Sequence, residues 1–127
     1  MAESKKYEIE VRVNAQYLVE QSDPAADRYV FAYNIDIRNT GTVAVQLISR
    51  HWIITDAHGD VQEVRGLGVV GQQPLLQPGQ NFEYTSGCAL ATAVGTMKGS
   101  YQMAAEDGAT FDAQIGEFVL SMPRVLH

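Results

Sequence analysis

Three glycines in the middle of this chain have a spacing that could carry chemistry, since Gly66, Gly68 and Gly71 follow the pattern G-x-G-x-x-G. In dinucleotide-binding proteins this pattern forms a tight turn between a strand and a helix, and the first amides of that helix bind a pyrophosphate. The residues that follow, 72–79, have the sequence QQPLLQPG, whose two prolines exclude a helix of useful length. Neither a βαβ unit nor a lysine followed by serine or threonine comes after the glycines, so the sequence predicts neither a Rossmann nor a Walker site.

Two interpretations of this loop remain. In the first, the glycines provide positive φ angles or room for strands to cross in a loop between two sheets, with Val69 and Val70 in the core. In the second, consecutive backbone N–H groups form a nest that binds a phosphate, a pyrophosphate or a nucleotide without any helix. The candidate ligand-binding residues of that second interpretation are Arg65, Gly66, Gly68, Gly71 and Thr85.

The histidines offer one further candidate. His58 lies between Asp56 and Asp60, and such a set of oxygen and nitrogen ligands could hold a divalent cation weakly. Aspartate and glycine are also the ordinary residues of a hairpin loop, so plain turn chemistry is the competing interpretation and we predict no metal site. His51 lies within an apolar strand, where we expect its ring to face solvent or to form a hydrogen bond.

Nucleophilic catalysis requires an activated side chain beside a base. Cys88 is the single cysteine, has no histidine near it in the sequence and has apolar neighbours, so it is predicted to be a buried, unreactive thiol. A single cysteine also excludes an intramolecular disulfide and a zinc site built from cysteines. No paired carboxylates are indicated, so the sequence predicts no enzyme and no cofactor.

Size and charge limit the function further. A chain of 127 residues is one domain, 1–127, large enough for its own core. The net charge of −6 and the scattered basic residues exclude an obvious nucleic-acid footprint and disfavour anionic membranes. No apolar run approaches the roughly 18–20 residues that span a bilayer, and no apolar stretch follows the N-terminal lysines, so we expect no membrane insertion and a cytoplasmic protein.

Apolar and polar residues alternate with a period of two along most of the chain, which predicts strands. The predicted strands cover residues 7–13, 29–37, 43–55, 61–64, 82–86, 97–103 and 111–120. The apolar face changes phase within residues 43–55, which indicates a bulge or a strand buried on both sides, and a second bulge is predicted across Gly116. No segment has a convincing helical period. The prediction is an all-β, immunoglobulin- or fibronectin type III-like antiparallel β-sandwich of about seven strands, with Trp52 in its core.

Several segments together resemble the bacterial ApaG family over nearly the whole chain. They are RYVFAY at 28–33, RHWIIT at 50–55, VRGLGVVGQQP at 64–74, YTSG at 84–87, GTMKGSYQM at 95–103 and the ending Leu126-His127. The resemblance implies a fibronectin type III-like sandwich, an association with cobalt resistance and magnesium efflux, and no catalytic residues. Related domains of eukaryotic F-box and polymerase-interacting proteins imply binding of other proteins. Leu67 departs from the family's usual acidic residue, which argues against a cation at this loop, and Gly116 stands where the family often has proline.

The first hypothesis is therefore a non-enzymatic protein-interaction module with an indirect role in metal efflux. Exposed strand edges or an apolar patch beside the glycine loop would receive an unknown protein partner, and open edges also make a homodimer possible. The alternative is a small-ligand binder that holds an anion at residues 66–71. A third hypothesis is direct binding of Mg²⁺ or Co²⁺ by Asp56, His58 and Asp60.

Overall fold

Two antiparallel sheets make up the fold in the computed structural model, which describes residues 5–123; the final Leu126-His127 of the family resemblance lies outside them. The strands are β1 Ile9–Tyr17, β2 Tyr29–Asn39, β3 Val45–Asp56, β4 Val61–Leu67, β5 Leu75–Leu76, β6 Asn81–Leu90, β7 Val94–Ala105 and β8 Thr110–Ser121. Two short 3-10 turns, Val19–Gln21 and Pro24–Ala26, join β1 to β2. No helix among these residues has the length and apolar character needed to cross a membrane.

The strand order is β1-β2-β6 in one sheet and β4-β3-β7-β8 in the other, with β5 paired to the start of β3. The predicted all-β antiparallel sandwich is confirmed, and the two-residue β5 accounts for the eighth strand. The predicted strand at 61–64 was too short, because β4 continues to Leu67. The finer likeness to fibronectin type III domains stays a prediction.

The core consists of side chains that alternate inward from both sheets. Trp52 on β3 is 3% exposed, and its ring contacts those of Tyr33, Tyr101 and Phe118 at centroid distances of 5.5, 6.3 and 6.0 Å. Such edge-on aromatic contacts add to the free energy gained from burying apolar area. Trp52 therefore joins β2, β3, β7 and β8, as the sequence predicted for a central core residue.

Both predicted bulges are present. The register between β3 and β7 skips Ile48, so Leu47 faces the core before the bulge and Trp52 faces it afterwards. The register between β7 and β8 places Lys98 opposite two residues, Gly116 and Glu117. An extra residue on one strand turns the following side chains to the other face. The phase changes in the apolar pattern of the sequence therefore coincide with these bulges.

The turn after β2 is held by a buried asparagine. Asn39 has no exposed surface, and its Nδ2 donates to the carbonyl oxygens of Val43 and Leu76 at 2.8 and 2.9 Å. Its Oδ1 accepts a hydrogen bond from the Gly41 N–H at 2.9 Å. One side chain thus closes the predicted turn and links the end of β2 to β5 in the other sheet.

Acid is expected to remove one stabilising cluster at the β7–β8 turn. Asp107 Oδ2 lies 2.8 Å from Lys6 Nζ and accepts a hydrogen bond from the Tyr7 hydroxyl. Lys6, then Tyr7, then the Ala109 N–H hold the pKa of Asp107 well below its ordinary value of 3.8. The carboxylate therefore contributes stability above the unfolded-state pKa, and this contribution is lost as the pH falls towards the lower folded-state pKa.

The variant Asp107→Asn should be less stable than the wild type at pH 7, and the difference should shrink as the pH is lowered below about 4. Urea unfolding at several pH values measures both free energies. Asp112→Asn, the same change at an exposed position on β8, is the control. A difference that stays constant with pH would show that the ionised carboxylate of Asp107 is not the stabilising group.

Candidate functional site

One edge of the larger sheet is unusually apolar. β7 covers one side of β3 along its length, so β4 and β5 lie on the other side, with the glycine loop 68–74 between them. Six of the seven β4 residues are exposed. Five exposed large hydrophobic residues belong to this segment, and we call them the edge surface: Val61, Val64, Leu67, Val70 and Leu75. Elsewhere in residues 5–123 there are three others, Val19, Val94 and Val119.

The glycine loop owes its shape to its own backbone hydrogen bonds. Gly68, with a φ of +62°, donates its N–H to the Ile48 carbonyl at 2.8 Å. Val69 and Gln72 exchange N–H···O bonds of 2.8 and 2.9 Å. Between them Val70 and Gly71 have φ values of +43° and +79°, and two successive positive φ angles are typical of a type I′ turn. The second half of the motif is therefore a tight hairpin turn.

The first glycine of the motif makes room for an arginine. Gly66 is paired with Arg50 on β3, and a Cβ atom at Gly66 would lie 2.9 Å from the Arg50 guanidinium. Arg50 Nη1 donates to the carbonyl oxygens of Leu67 and Gly68 at 3.0 and 2.9 Å. Arg50 therefore holds the start of the loop against β3, and a side chain at position 66 would displace its guanidinium.

Of the two loop valines that were predicted to lie in the core, only Val69 does. Val69 is fully buried in the core, as expected. Val70 was predicted to be buried and is instead 54% exposed, because it occupies the tip of the turn, where its side chain has no core to face. The loop consequently adds an apolar side chain to the surface next to Leu67, which is 74% exposed.

The geometry brings together only part of the predicted anion site. Three of the loop's backbone N–H groups, those of Gly68, Val69 and Gln72, already donate to carbonyl oxygens. Arg65 points to the outer face of the sheet, where its Nη2 lies 3.3 Å from Glu63 Oε1. Thr85 belongs to β6 in the other sheet and accepts a hydrogen bond from Asn34 Nδ2 at 3.0 Å. Thr85 is therefore not a neighbour of the loop.

The Asp56, His58 and Asp60 side chains do converge at the β3–β4 hairpin, with their possible ligand atoms within 4.8 Å of one another. Asp56 Oδ1 accepts hydrogen bonds from the N–H groups of His58 and Asp60 at 2.9 and 3.0 Å. These bonds are what the turn interpretation predicts, since an aspartate commonly caps such a turn with its own carboxylate. Metal binding at this hairpin stays a hypothesis.

His51 occupies the environment expected of it, whereas Cys88 was predicted to be buried and is only partly buried. His51 Nε2 lies 2.7 Å from Glu63 Oε1 on β4, so the hydrogen-bonded histidine is confirmed. Cys88 is partly buried, and desolvation raises the pKa of its thiol to about 11. A thiol with that pKa stays protonated at neutral pH, which makes it a poor nucleophile.

A shallow depression on the outer face of the larger sheet was not predicted. It has a volume of about 540 Å³, and its lining side chains include Ser49, His51, Arg65, Ser100, Gln102 and Asp112. Gln102 accepts a hydrogen bond from Ser49 at 2.8 Å and donates one to Ser100 at 2.9 Å. Sequence reasoning missed this cluster because strand register brings together residues up to 63 positions apart. The edge surface did leave a signal, since apolar residues at 61, 64 and 67 fit neither face of a strand.

Comparison with known proteins agrees with this description. A family model described as the ApaG domain matches residues 19–105. The chain is 72% identical to Protein ApaG of Thiobacillus denitrificans and 70% identical to Protein ApaG of Nitrosospira multiformis, in each case over 127 residues and 100% of both chains. A crystal structure from Bordetella pertussis superimposes with a TM-score of 0.94 at 58% identity, covering 97% of this chain and 100% of that one.

Proposed function

This chain belongs to the ApaG family, and from the exposed sheet edge we propose that it acts as a protein-interaction module without enzymatic activity. The observation that carries the proposal is the edge surface, where exposed hydrophobic residues lie on an edge strand and its adjoining loop. Apolar side chains that are grouped on the surface mark sites where another protein binds.

The strand geometry indicates how a partner would bind. Within the described sheets β4 has a neighbour on one side alone, β3, so backbone N–H and C=O groups on its other side can pair with an added strand. An extended segment of a partner would gain backbone hydrogen bonds there, and its side chains would contact Val61 and Leu67. The glycine loop and β5 would extend the contact through Val70 and Leu75.

This function accounts for the family's association with metal efflux in an indirect way. A module that binds a protein of the efflux system would alter its activity without transporting an ion itself. We place this interaction in the cytoplasm, where the sequence predicts the protein to reside.

The alternative ligand-binding function gains less support. An anion nest needs free N–H groups that converge on one point. In the described loop, the N–H groups of Gly68, Val69 and Gln72 are bonded to carbonyl oxygens, and Thr85 lies in the other sheet. A phosphate would have to displace these bonds before it could bind. The loop geometry therefore supports binding of a protein at exposed hydrophobic residues better than binding of an anion.

The interaction proposal predicts a strong effect of one edge substitution. Tagged wild-type protein captured from native cells should recover a stoichiometric partner, whose affinity is then measured by calorimetry with both proteins purified. Leu67→Glu should raise the dissociation constant at least about tenfold, because it places a charge within the apolar contact.

Val119→Glu is the matched control, since Val119 is a 60% exposed valine on β8, at the opposite edge of the same sheet. This variant should retain wild-type affinity. Repeated capture without any stoichiometric partner would contradict the proposed function, and equal losses in both variants would contradict the assignment of the edge surface.

A further inference from the structure

We infer that β4 pairs with β4 of a second copy of this chain, antiparallel about a two-fold axis through Val64, so that the two larger sheets join into one. The inference rests on the proposed function, since it names the partner of the same sheet edge. Three observations carry it, namely the open side of β4, the exposed hydrophobic residues on it and the order of its charges.

The sequence of β4, VQEVRGL, is complementary to itself when reversed. With Val64 opposite Val64 of the second copy, Glu63 lies opposite Arg65 and Arg65 opposite Glu63. At the ends of the strand Val61 lies opposite Leu67, so each apolar residue meets another. Opposite charges and apolar side chains placed directly across antiparallel strands stabilise their pairing, whereas like charges destabilise it. Every exposed charge of β4 is matched in this register.

The side chains of Glu63 and Arg65 both lie on the outer face of the sheet, as cross-strand pairing in this register requires. Glu63 Oε1 lies 2.7 Å from His51 Nε2 and 3.3 Å from Arg65 Nη2, all on the outer face of the sheet. The Arg65 side chain is 73% exposed and the Glu63 side chain 54% exposed. In the dimer each carboxylate would lie between its own arginine and that of the second copy, which makes a row of alternating charges.

The remaining position in the register also fits. Gln62 of one copy lies opposite Gly66 of the other, where the Arg50 guanidinium covers the glycine and no side chain projects. The amide of Gln62 therefore meets no side chain of β4 across the pair.

β6 and β8 lack these features. β1 has the same order of charges, with Glu10 and Arg12 on either side of Val11, and differs from β4 because β8 lies against it. β1 and β8 lie against each other where the two sheets meet, so neither edge is fully open. The charged residues of β8 are Asp112 and Glu117, both acidic, and β6 has a single charged residue, Glu83. Self-pairing of β6 or of β8 would provide no opposite charges. Natural edge strands are commonly protected by lysine or proline, and β4 contains neither.

Charge reversal tests this register in the full-length protein. Sedimentation equilibrium should show wild-type protein changing from monomer to dimer between micromolar and millimolar concentration, because a seven-residue strand pair is a small interface. Glu63→Arg or Arg65→Glu alone should raise the dimer dissociation constant about tenfold or more, since two attractive pairs become repulsive. An equimolar mixture of the two variants should form a heterodimer, because it restores both opposite-charge pairs. Glu117→Arg, the same charge change on β8, should leave dimerisation unchanged.

A cross-link provides the second measurement. In a Cys88→Ser background, Val64→Cys should form an intermolecular disulfide, since facing residues of paired strands have Cα atoms about 4.5–5.5 Å apart. Gln62→Cys should not, because residue 62 faces residue 66 of the other copy.

A wild type that stays monomeric at millimolar concentration, or single-charge variants that dimerise as the wild type does, would overturn the inference. If the protein stays monomeric and Leu67→Glu still weakens a captured partner, this inference fails while the proposed function stands. If the wild type dimerises and no other protein is captured, the dimer stands and the proposed binding of other proteins fails.

Discussion

Replacing Trp52 with alanine is expected to lower the free energy of unfolding by about 3–5 kcal/mol, the usual cost of removing a large buried aromatic side chain. Trp52 is 3% exposed and contacts aromatic rings from β2, β7 and β8. Its loss leaves a cavity at the centre of both sheets, which the surrounding strands can fill only in part. A change of this size is a large fraction of the roughly 5–15 kcal/mol that stabilises an ordinary domain.

Urea unfolding followed by circular dichroism measures this effect, since Trp52 is the single tryptophan and its fluorescence is lost with it. Val119→Ala, at an exposed position on β8, should change the free energy of unfolding by less than about 0.5 kcal/mol. A loss below about 1 kcal/mol in Trp52→Ala would contradict the described core, because only an exposed or adaptable site tolerates such a truncation.

Gly68→Ala is expected to destabilise the protein by about 3 kcal/mol. The positive φ of Gly68 costs an alanine about 1–2 kcal/mol. Its Cβ would also overlap the Gln72 carbonyl oxygen, so the exchanged hydrogen bonds between Val69 and Gln72 would have to lengthen or break. Each such bond contributes about 1 kcal/mol. The turn that presents Val70 should open as a result.

Gly71→Ala is the matched control for this loop. Gly71 also has a positive φ, but no atom lies within 4 Å of a Cβ placed there. The expected cost is therefore the conformational term alone, about 1–2 kcal/mol. Chemical unfolding of both variants measures the difference, and equal losses would show that close approach to Gln72 is not what requires a glycine at position 68.

Each glycine of the G-x-G-x-x-G motif has a structural role. Gly66 makes room for Arg50, Gly68 passes close to Gln72, and Gly71 completes a turn whose first residue is Val70. None of these roles needs a nucleotide. The glycines instead give the loop a shape that leaves Leu67 and Val70 on the surface, which connects the motif to the interaction that we propose.

Much of the architecture could be predicted because it is local. Alternation of apolar residues identified the long strands, and its phase changes located the bulges at Ile48 and Gly116. The family resemblance came from short contiguous segments. Prediction failed where the pattern lacked a buried face: β4 was ended at residue 64 although it runs to Leu67, and Val70 was assigned to the core. An exposed edge strand has no alternation in burial, so its residues carry little local signal.

The sequence by itself determined the antiparallel sandwich, the core position of Trp52 and the exclusion of a Rossmann site, because each depends on neighbouring residues along the chain. Only the tertiary structure decided that β4 is an open edge, that Arg50 lies over Gly66 and that Thr85 is in the other sheet. These facts depend on which strands pair and in what register. Pairing joins residues far apart in the sequence through backbone hydrogen bonds that are the same for every residue type except proline, so the alternation within one strand does not show which strand lies beside it.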